Sequence, residues 1–202
     1  MKIPSKYMEE AVEQLATLPS IGKRSALSLV IHLLNRKPEE IERFAKSFLE
    51  MKKHVKYCKS CGNISDLEVC AICSNPQRKH DQICIVEDVR DVMAIEETGS
   101  FHGIYHVLGG IISPMDGIGP ADLNIPSLLE KIGSGTVKEV IFALSATMEG
   151  DTTNFFLFKK IQPSGIVVTT LSRGVSVGSE LQYADGLTLG RSIINRTLFK
   201  VD

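Results

Sequence analysis

The chain has 202 residues, 43% of them apolar, and a formal net charge of −1. That is enough apolar chain for one substantial domain with appendages, or two small domains, and it excludes wholesale disorder. No apolar run approaches the roughly 20 residues that cross a bilayer; with no Trp and 6% aromatic residues, a base-stacking platform for single strands is not obvious.

The near-neutral total hides an asymmetry. Residues 1–80 carry 14 Lys and Arg against 9 Asp and Glu, a balance of +5, while residues 81–202 carry 9 against 15, a balance of −6. A basic front suits a polyanion and an acidic back suits a different partner, although ordinary variation between halves gives the same totals. The amino terminus, "MKIPSKYMEE", lacks the apolar stretch of a signal peptide, so a cytoplasmic protein is expected.

Residues 6–17 read as a helix, broken by Pro19 and Gly22 in "LPSIGKR", and residues 24–35 resume with a helical stripe of Ala26, Leu27, Leu29, Val30, Leu33 and Leu34. The second helix opens beside Lys23 and Arg24. Free backbone N–H groups, the helix dipole and two cations can hold a phosphate without reading a base. The stretch "LPSIGKRSALSL" resembles a helix-hairpin-helix, with Ser20 where the first hairpin glycine is usual and Ser28 where a basic residue is common. An αα-hairpin used only for packing is the plainer alternative. A phosphate-binding P-loop is excluded, because Thr17 stands at its first glycine position and Arg24 at its Ser or Thr position.

Pro38 starts a third helix, with Ile41, Phe44, Ala45, Phe48 and Leu49 at helical spacing. Lys52, Lys53, Lys56 and Lys59 follow; they suit a polyanion, and a solvated helix face reads the same way. The next stretch is Cys58-x2-Cys61-x8-Cys70-x2-Cys73. Two CxxC turns place four thiolates around one tetrahedral metal, and a reducing cytoplasm argues against disulfides. Zn2+ with four protein ligands has no open position, so it is expected to be structural. Gly62 follows the second cysteine, where the turn needs a residue tolerant of positive φ. Cys84 lies in an apolar strand and is most simply a core residue.

From residue 81 the character changes to α/β. Strands are expected at 82–88, 105–108, 137–144 and 165–171. Helices are expected after Glu87 through Glu97, at 125–133 and at 152–162, with a Gly- and Pro-rich loop at 109–120. This alternation predicts a parallel sheet covered on both faces. Glu87 closes the first strand, and Glu149 and Asp151 follow the third. Acids at the carboxyl edge of such a sheet could bind Mg2+, dock a partner or favour a helix start. Their spacing is similar to the Toprim signature, with Glu149 in place of the first Asp of Asp-x-Asp. The chain has no room for the further domains that topoisomerases and primases need, so catalysis is not expected.

"YHVLGGIISPMDGIGP", with "VEDVRDVMAIEETG" before it and "YADGLTLGRSI" near the end, resembles the RecR family of bacterial recombination mediators over nearly the whole chain. The resemblance implies a multidomain α and α/β protein. Its parts would be a helix-hairpin-helix DNA-binding and oligomerisation module (1–56), a small four-cysteine zinc knuckle (57–80), a Rossmann-like Toprim domain with a parallel sheet (81–173) and a carboxyl-terminal segment for oligomerisation (174–202). It implies a non-enzymatic, nucleoid-associated protein that assembles as a dimer or ring-like tetramer and binds gapped, single- and double-stranded DNA without sequence preference. Such proteins act with RecO, and often RecF, to help RecA displace single-strand-binding protein. By carry-over Lys23 and Arg24 face DNA, Cys58, Cys61, Cys70 and Cys73 hold zinc, and Glu87, Glu149 and Asp151 form the face that meets RecO. The competing reading is a Toprim nuclease or topoisomerase-like enzyme using those acids with Mg2+.

Overall fold

Three helices come first along the chain: α1 (Lys6–Ala16), α2 (Lys23–Leu34) and α3 (Pro38–His54). Ser5 caps α1, its hydroxyl accepting from the Met8 N–H, and Pro38 sits at the first position of α3, where its missing N–H costs nothing. In a computed structural model that describes residues 3–198 apart from 173, 176, 177 and 179, these helices make up one compact unit, residues 1–55. Val12, Ala26 and Val30 are its buried apolar residues, with Ile3, Leu15, Ile21 and Leu27 packed around them. No residue of α3 is buried.

The second unit, residues 56–202, holds a small hairpin of β1 (Lys56–Tyr57) and β2 (Ile64–Ser65), a short helix α4 (Ala71–Ser74) and a four-stranded sheet. The sheet is formed by β3 (Lys79–Val86), β4 (Gly103–Val107), β5 (Glu139–Ala143) and β6 (Val167–Thr170). All pairs are parallel and the order is β4-β3-β5-β6. The connections carry α5 (Val89–Glu97), α6 (Ile125–Gly133) and α7 (Met148–Ile161), and α8 (Gly186–Ile194) follows the sheet.

Side-chain alternation along the strands makes two cores. Ile83 and Ile85 face one side with Val140 and Phe142, against Leu128 and Ile132 of α6 and Leu157 and Ile161 of α7. Cys84 and Val86 face the other side with Tyr105 and Val107, against Val92 of α5. The expected parallel sheet covered on both faces is thus present. Cys84 is a core residue whose thiol burial pushes up to about 12.

The expected strands at 105–108, 137–144 and 165–171 are observed at Gly103–Val107, Glu139–Ala143 and Val167–Thr170, and two further boundaries differ for physical reasons. The first strand begins at Lys79 and stops at Val86, because Asp88 already caps α5 by accepting from the Arg90 N–H, leaving Glu87 just beyond the strand. Helix α7 begins at Met148, not at 152, because the Thr147 hydroxyl accepts from the Gly150 N–H at 3.1 Å and caps it. Glu149 and Asp151 therefore lie in the first turn of α7. Of the carboxyl-terminal segment (174–202), residues 176, 177, 179 and 199–202 lie outside the described residues.

Candidate functional site

The four cysteines come together. The Sγ atoms of Cys58, Cys61, Cys70 and Cys73 all lie within 4.8 Å of one another, and Cys61 and Cys70 are 3.6 Å apart. A tetrahedron of thiolates about 2.3 Å from zinc has edges of about 3.8 Å, so the donor set fits this metal. Backbone N–H groups support the sulfurs: Cys70 donates to Cys58 Sγ at 3.2 Å, Asn63 to Cys61 Sγ at 3.5 Å and Cys73 to Cys70 Sγ at 3.5 Å. A hydrogen bond with Cys61 pulls the Cys73 thiol below its ordinary range and raises Cys61. Cys58 is also lowered: burial opposes this, but the N–H groups of Cys70, Cys61 and Ser60 outweigh it. Gly62 has φ +77°, the left-handed turn expected of it, and a Cβ there would meet the Val107 carbonyl oxygen at 3.1 Å.

That contact shows how the knuckle is seated on the sheet. The Val107 N–H donates to the Cys61 carbonyl at 2.7 Å, and Ile72 of α4 packs both against the cysteines and against the core over Cys84 and Tyr105. Beside Val107, His106 is fully buried, with Nε2 2.6 Å from the Asn124 carbonyl and Nδ1 3.4 Å from Lys131 Nζ. Burial, then the Lys131 charge, brings this imidazole down to about 4.

At this same carboxyl edge of the sheet, Glu87 follows β3, and Glu149 and Asp151 follow β5, its neighbour. The three acids share one edge but do not close on a point. Among the described residues the cysteines alone form a group of His, Cys, Asp or Glu side chains with donor atoms that close together. Burial, with Asp91 and Asp88 nearby, raises the Glu87 carboxyl. Asp91 is engaged locally, accepting from the N–H groups of Glu87 and Asp88. Asp151 lies 3.7 Å from Arg191 of α8 and lines a cleft of about 730 Å³ with Asn154, Phe155 and Phe158. Glu149 is exposed.

Two residues that hold this edge carried no signal in the reading of the sequence. A Cβ on Gly150 would lie 2.0 Å from the Ser145 carbonyl oxygen, so the residue between the two acids must be glycine for α7 to start where it does. Thr153 is fully buried; its hydroxyl donates to the Glu149 carbonyl at 2.8 Å and accepts from the Ile112 N–H at 2.9 Å, tying the glycine-rich loop to α7.

In the first unit, Lys23 and Arg24 are exposed at the start of α2, and no side chain caps that helix. Its leading N–H groups stay available beside two cations, an arrangement that favours an anion. Ser20 in the preceding turn has φ 64°, the left-handed region, at the position where the sequence departs from the usual hairpin glycine. Glu9 and Glu13 of α1 line the same cleft of about 360 Å³ as Lys23 and Arg24, which tempers the positive field there.

Comparison with known proteins adds four family matches in chain order. They are the RecR helix-hairpin-helix (residues 8–52), the RecR four-cysteine zinc finger domain (55–75), the Toprim domain (81–172) and the RecR carboxyl-terminal region (174–197). The chain is 55% identical over 196 residues to a protein named Recombination protein RecR from Bacteroides thetaiotaomicron, covering 97% of this chain and 96% of that one. It is 56% identical over 200 residues to one of the same name from Flavobacterium johnsoniae, covering 99% and 97%. It is 52% identical over 198 residues to one from Porphyromonas gingivalis, covering 98% and 96%.

Proposed function

The chain belongs to the RecR family of recombination proteins, and on that footing we propose that it is a non-enzymatic adaptor of recombinational repair that holds DNA without regard to sequence. The observation that carries the DNA-binding part is the uncapped start of α2, where Lys23 and Arg24 are exposed beside free N–H groups. These groups recognise phosphate and nothing of a base edge, so gapped, single- and double-stranded DNA would be accepted alike. In this reading Cys58, Cys61, Cys70 and Cys73 hold a structural Zn2+, and the parts divide at residues 56, 80 and 173. The protein works in the cytoplasm, at the nucleoid, as a dimer or a ring of four. The acidic edge of Glu87, Glu149 and Asp151 receives a basic partner, RecO, with RecF joining in some settings, and the assembly helps RecA displace single-strand-binding protein.

The test is binding of a fluorescent gapped duplex, read by anisotropy from 50 mM to 500 mM salt. Affinity should fall steeply, because each neutralised phosphate releases about 0.9 counterions. The pair Lys23→Glu and Arg24→Glu together should abolish binding while the oligomer, sized by light scattering, is unchanged. Salt-independent binding, or full binding by the double variant, would overturn the proposal. The enzymatic alternative is tested in the same samples on a denaturing gel: Mg2+-dependent fragments that vanish with Glu149→Gln would make the acidic edge catalytic.

A further inference from the structure

We propose that the cleft between the knuckle and the carboxyl edge of the sheet is a subsite for one unpaired base of single-stranded DNA, which stacks on Tyr57. The inference rests on the DNA-binding reading above and deepens it. Lys23 and Arg24 grip phosphate in any form of DNA, whereas this subsite takes only a base that has left the duplex stack.

Tyr57 ends the two-residue strand β1, between Lys56 and the first cysteine, and is 75% exposed. A lone exposed tyrosine is ordinary on a protein surface. The backbone that carries this one is fixed. Tyr57 pairs with Ile64 of β2, the Cys58 N–H donates to the Asn63 carbonyl at 2.7 Å, and the Lys59 N–H donates to the Glu68 carbonyl at 2.8 Å. The knuckle is in turn bonded to β4 by the Val107 N–H on the Cys61 carbonyl at 2.7 Å. An aromatic ring on a fixed backbone loses little freedom when a ligand stacks on it.

Tyr57 lines a cleft of about 480 Å³, a size at which small ligands are held. Val107 and Leu108 bring the end of β4 to it, and Val89 and Arg90 bring the start of α5. Gly62 and Gly109, at φ +77° and +84°, present bare backbone, and a Cβ on Gly109 would meet nothing within 4 Å. A flat ring therefore has room to approach. Asn124 makes one long hydrogen bond, from Nδ2 to the Val107 carbonyl at 3.4 Å, and its amide oxygen accepts from no group among the described residues. An aromatic face, apolar walls and a spare amide edge suit a base, which stacks through its π-face and hydrogen-bonds through its rim. Charge decides which part of a nucleotide enters. Asp88 in the lining repels a phosphate, even though Arg90 Nε donates to its Oδ2 at 2.7 Å. The neutral base enters, and the phosphates stay with Lys56 and Lys59, exposed on either side of Tyr57 along the chain. Lys59 meets Glu68 at 2.8 Å, but that pair is 71% and 65% exposed and holds the ammonium weakly. The simpler account is that Tyr57 is a rim residue for contact with another protein. That account predicts no effect of the ring on binding of bare DNA.

The two separate experimentally. Affinity of the full chain for a labelled oligo-dT strand and for a labelled blunt duplex is read by anisotropy at one salt concentration. Tyr57→Ala should weaken strand binding roughly 5- to 100-fold, the usual loss when a stacked base is deprived of its ring. Duplex binding, which needs phosphate contacts alone, should be unchanged. Tyr57→Phe, which keeps the ring, should bind the strand as the unmutated protein does. If Tyr57→Ala does not fold, Tyr57→Leu carries the same test with an apolar side chain and no π-face. The chain has no Trp, so Tyr57→Trp is a unique reporter, and its emission should be quenched saturably by the strand and not by the duplex. Unchanged strand affinity in Tyr57→Ala, an equal loss on strand and duplex, or an indole that does not respond to the strand overturns the inference. An unmutated protein that binds neither DNA would instead defeat the DNA-binding reading beneath it, and the subsite with it.

Discussion

The hairpin unit and the α/β unit are built to different standards of closure. Val12, Ala26 and Val30 are the buried apolar residues of the first, and α3 keeps Phe44 and Phe48 edge-to-face at 5.0 Å while leaving them 41% and 52% exposed. The second has a core on each face of its sheet and a knuckle bonded into one of them through Cys61, Val107 and Ile72. A unit with so little interior depends on caps and turns, and on whatever covers its apolar helix face; a second copy of the chain would do so in the proposed assembly. A unit with a dense interior depends on single atoms.

The sharpest way to break the contrast is to remove the metal centre. Cys61→Ser deletes a buried ligand, and in the proposed zinc-bound protein it should cost more than about 4 kcal/mol of stability. Because the knuckle shares Ile72 with the core over Cys84, the loss should reach β3 and β4 and leave residues 1–55 unaffected. Hydrogen exchange followed by mass spectrometry reads both units at once. Protection lost equally in both, or unchanged in β4, would erase the distinction drawn here.

Next in size is Gly150→Ala. With the Ser145 carbonyl oxygen 2.0 Å from the new Cβ, either α7 or the β5–α7 loop must move, and overpacking of this kind costs about 3 kcal/mol. Chemical denaturation should show that loss, and a shift smaller than about 1 kcal/mol would mean the edge is more pliable than its geometry implies. Thr153→Val keeps the shape but leaves the buried Ile112 N–H without an acceptor, for about 2 kcal/mol. Its effect should centre on residues 109–118, seen as faster amide exchange there than in α6.

Much of the α/β unit is legible in the amino-acid sequence alone. Apolar runs bounded by turn residues gave the four strands, and the alternation with helices gave parallel pairing, since those signals are local. The CxxC pairs gave the metal-competent cluster for the same reason. The site details were less legible because they depend on contacts across long stretches of chain. Thr153 meets Ile112 and Lys131 meets His106 only once the sheet has formed, and no neighbour in the sequence of either residue announces such a partner. The acids show the opposite case: their sequence spacing suggested convergence, yet the Thr147 cap starts α7 early and Arg191 draws on Asp151, so the three share an edge without closing.

The smallest effect has a different sign and belongs to the weaker unit. Ser20 adopts φ 64° in the turn before α2, a conformation that costs an L-residue about 1 kcal/mol or more and glycine nothing comparable. Glycine gives part of that back through the greater freedom of the unfolded chain, so Ser20→Gly should stabilise the hairpin by roughly 0.5 kcal/mol. Ser20 is exposed and its side chain makes no described hydrogen bond, so little else is lost. If the turn exists to present α2 to phosphate, the relief of strain should also leave Lys23 and Arg24 where they are, and DNA affinity should hold or rise slightly. A stabilised hairpin with weakened DNA binding would mean that the serine hydroxyl itself touches the ligand, and the departure from glycine at this position would then be a binding feature and not a tolerated cost.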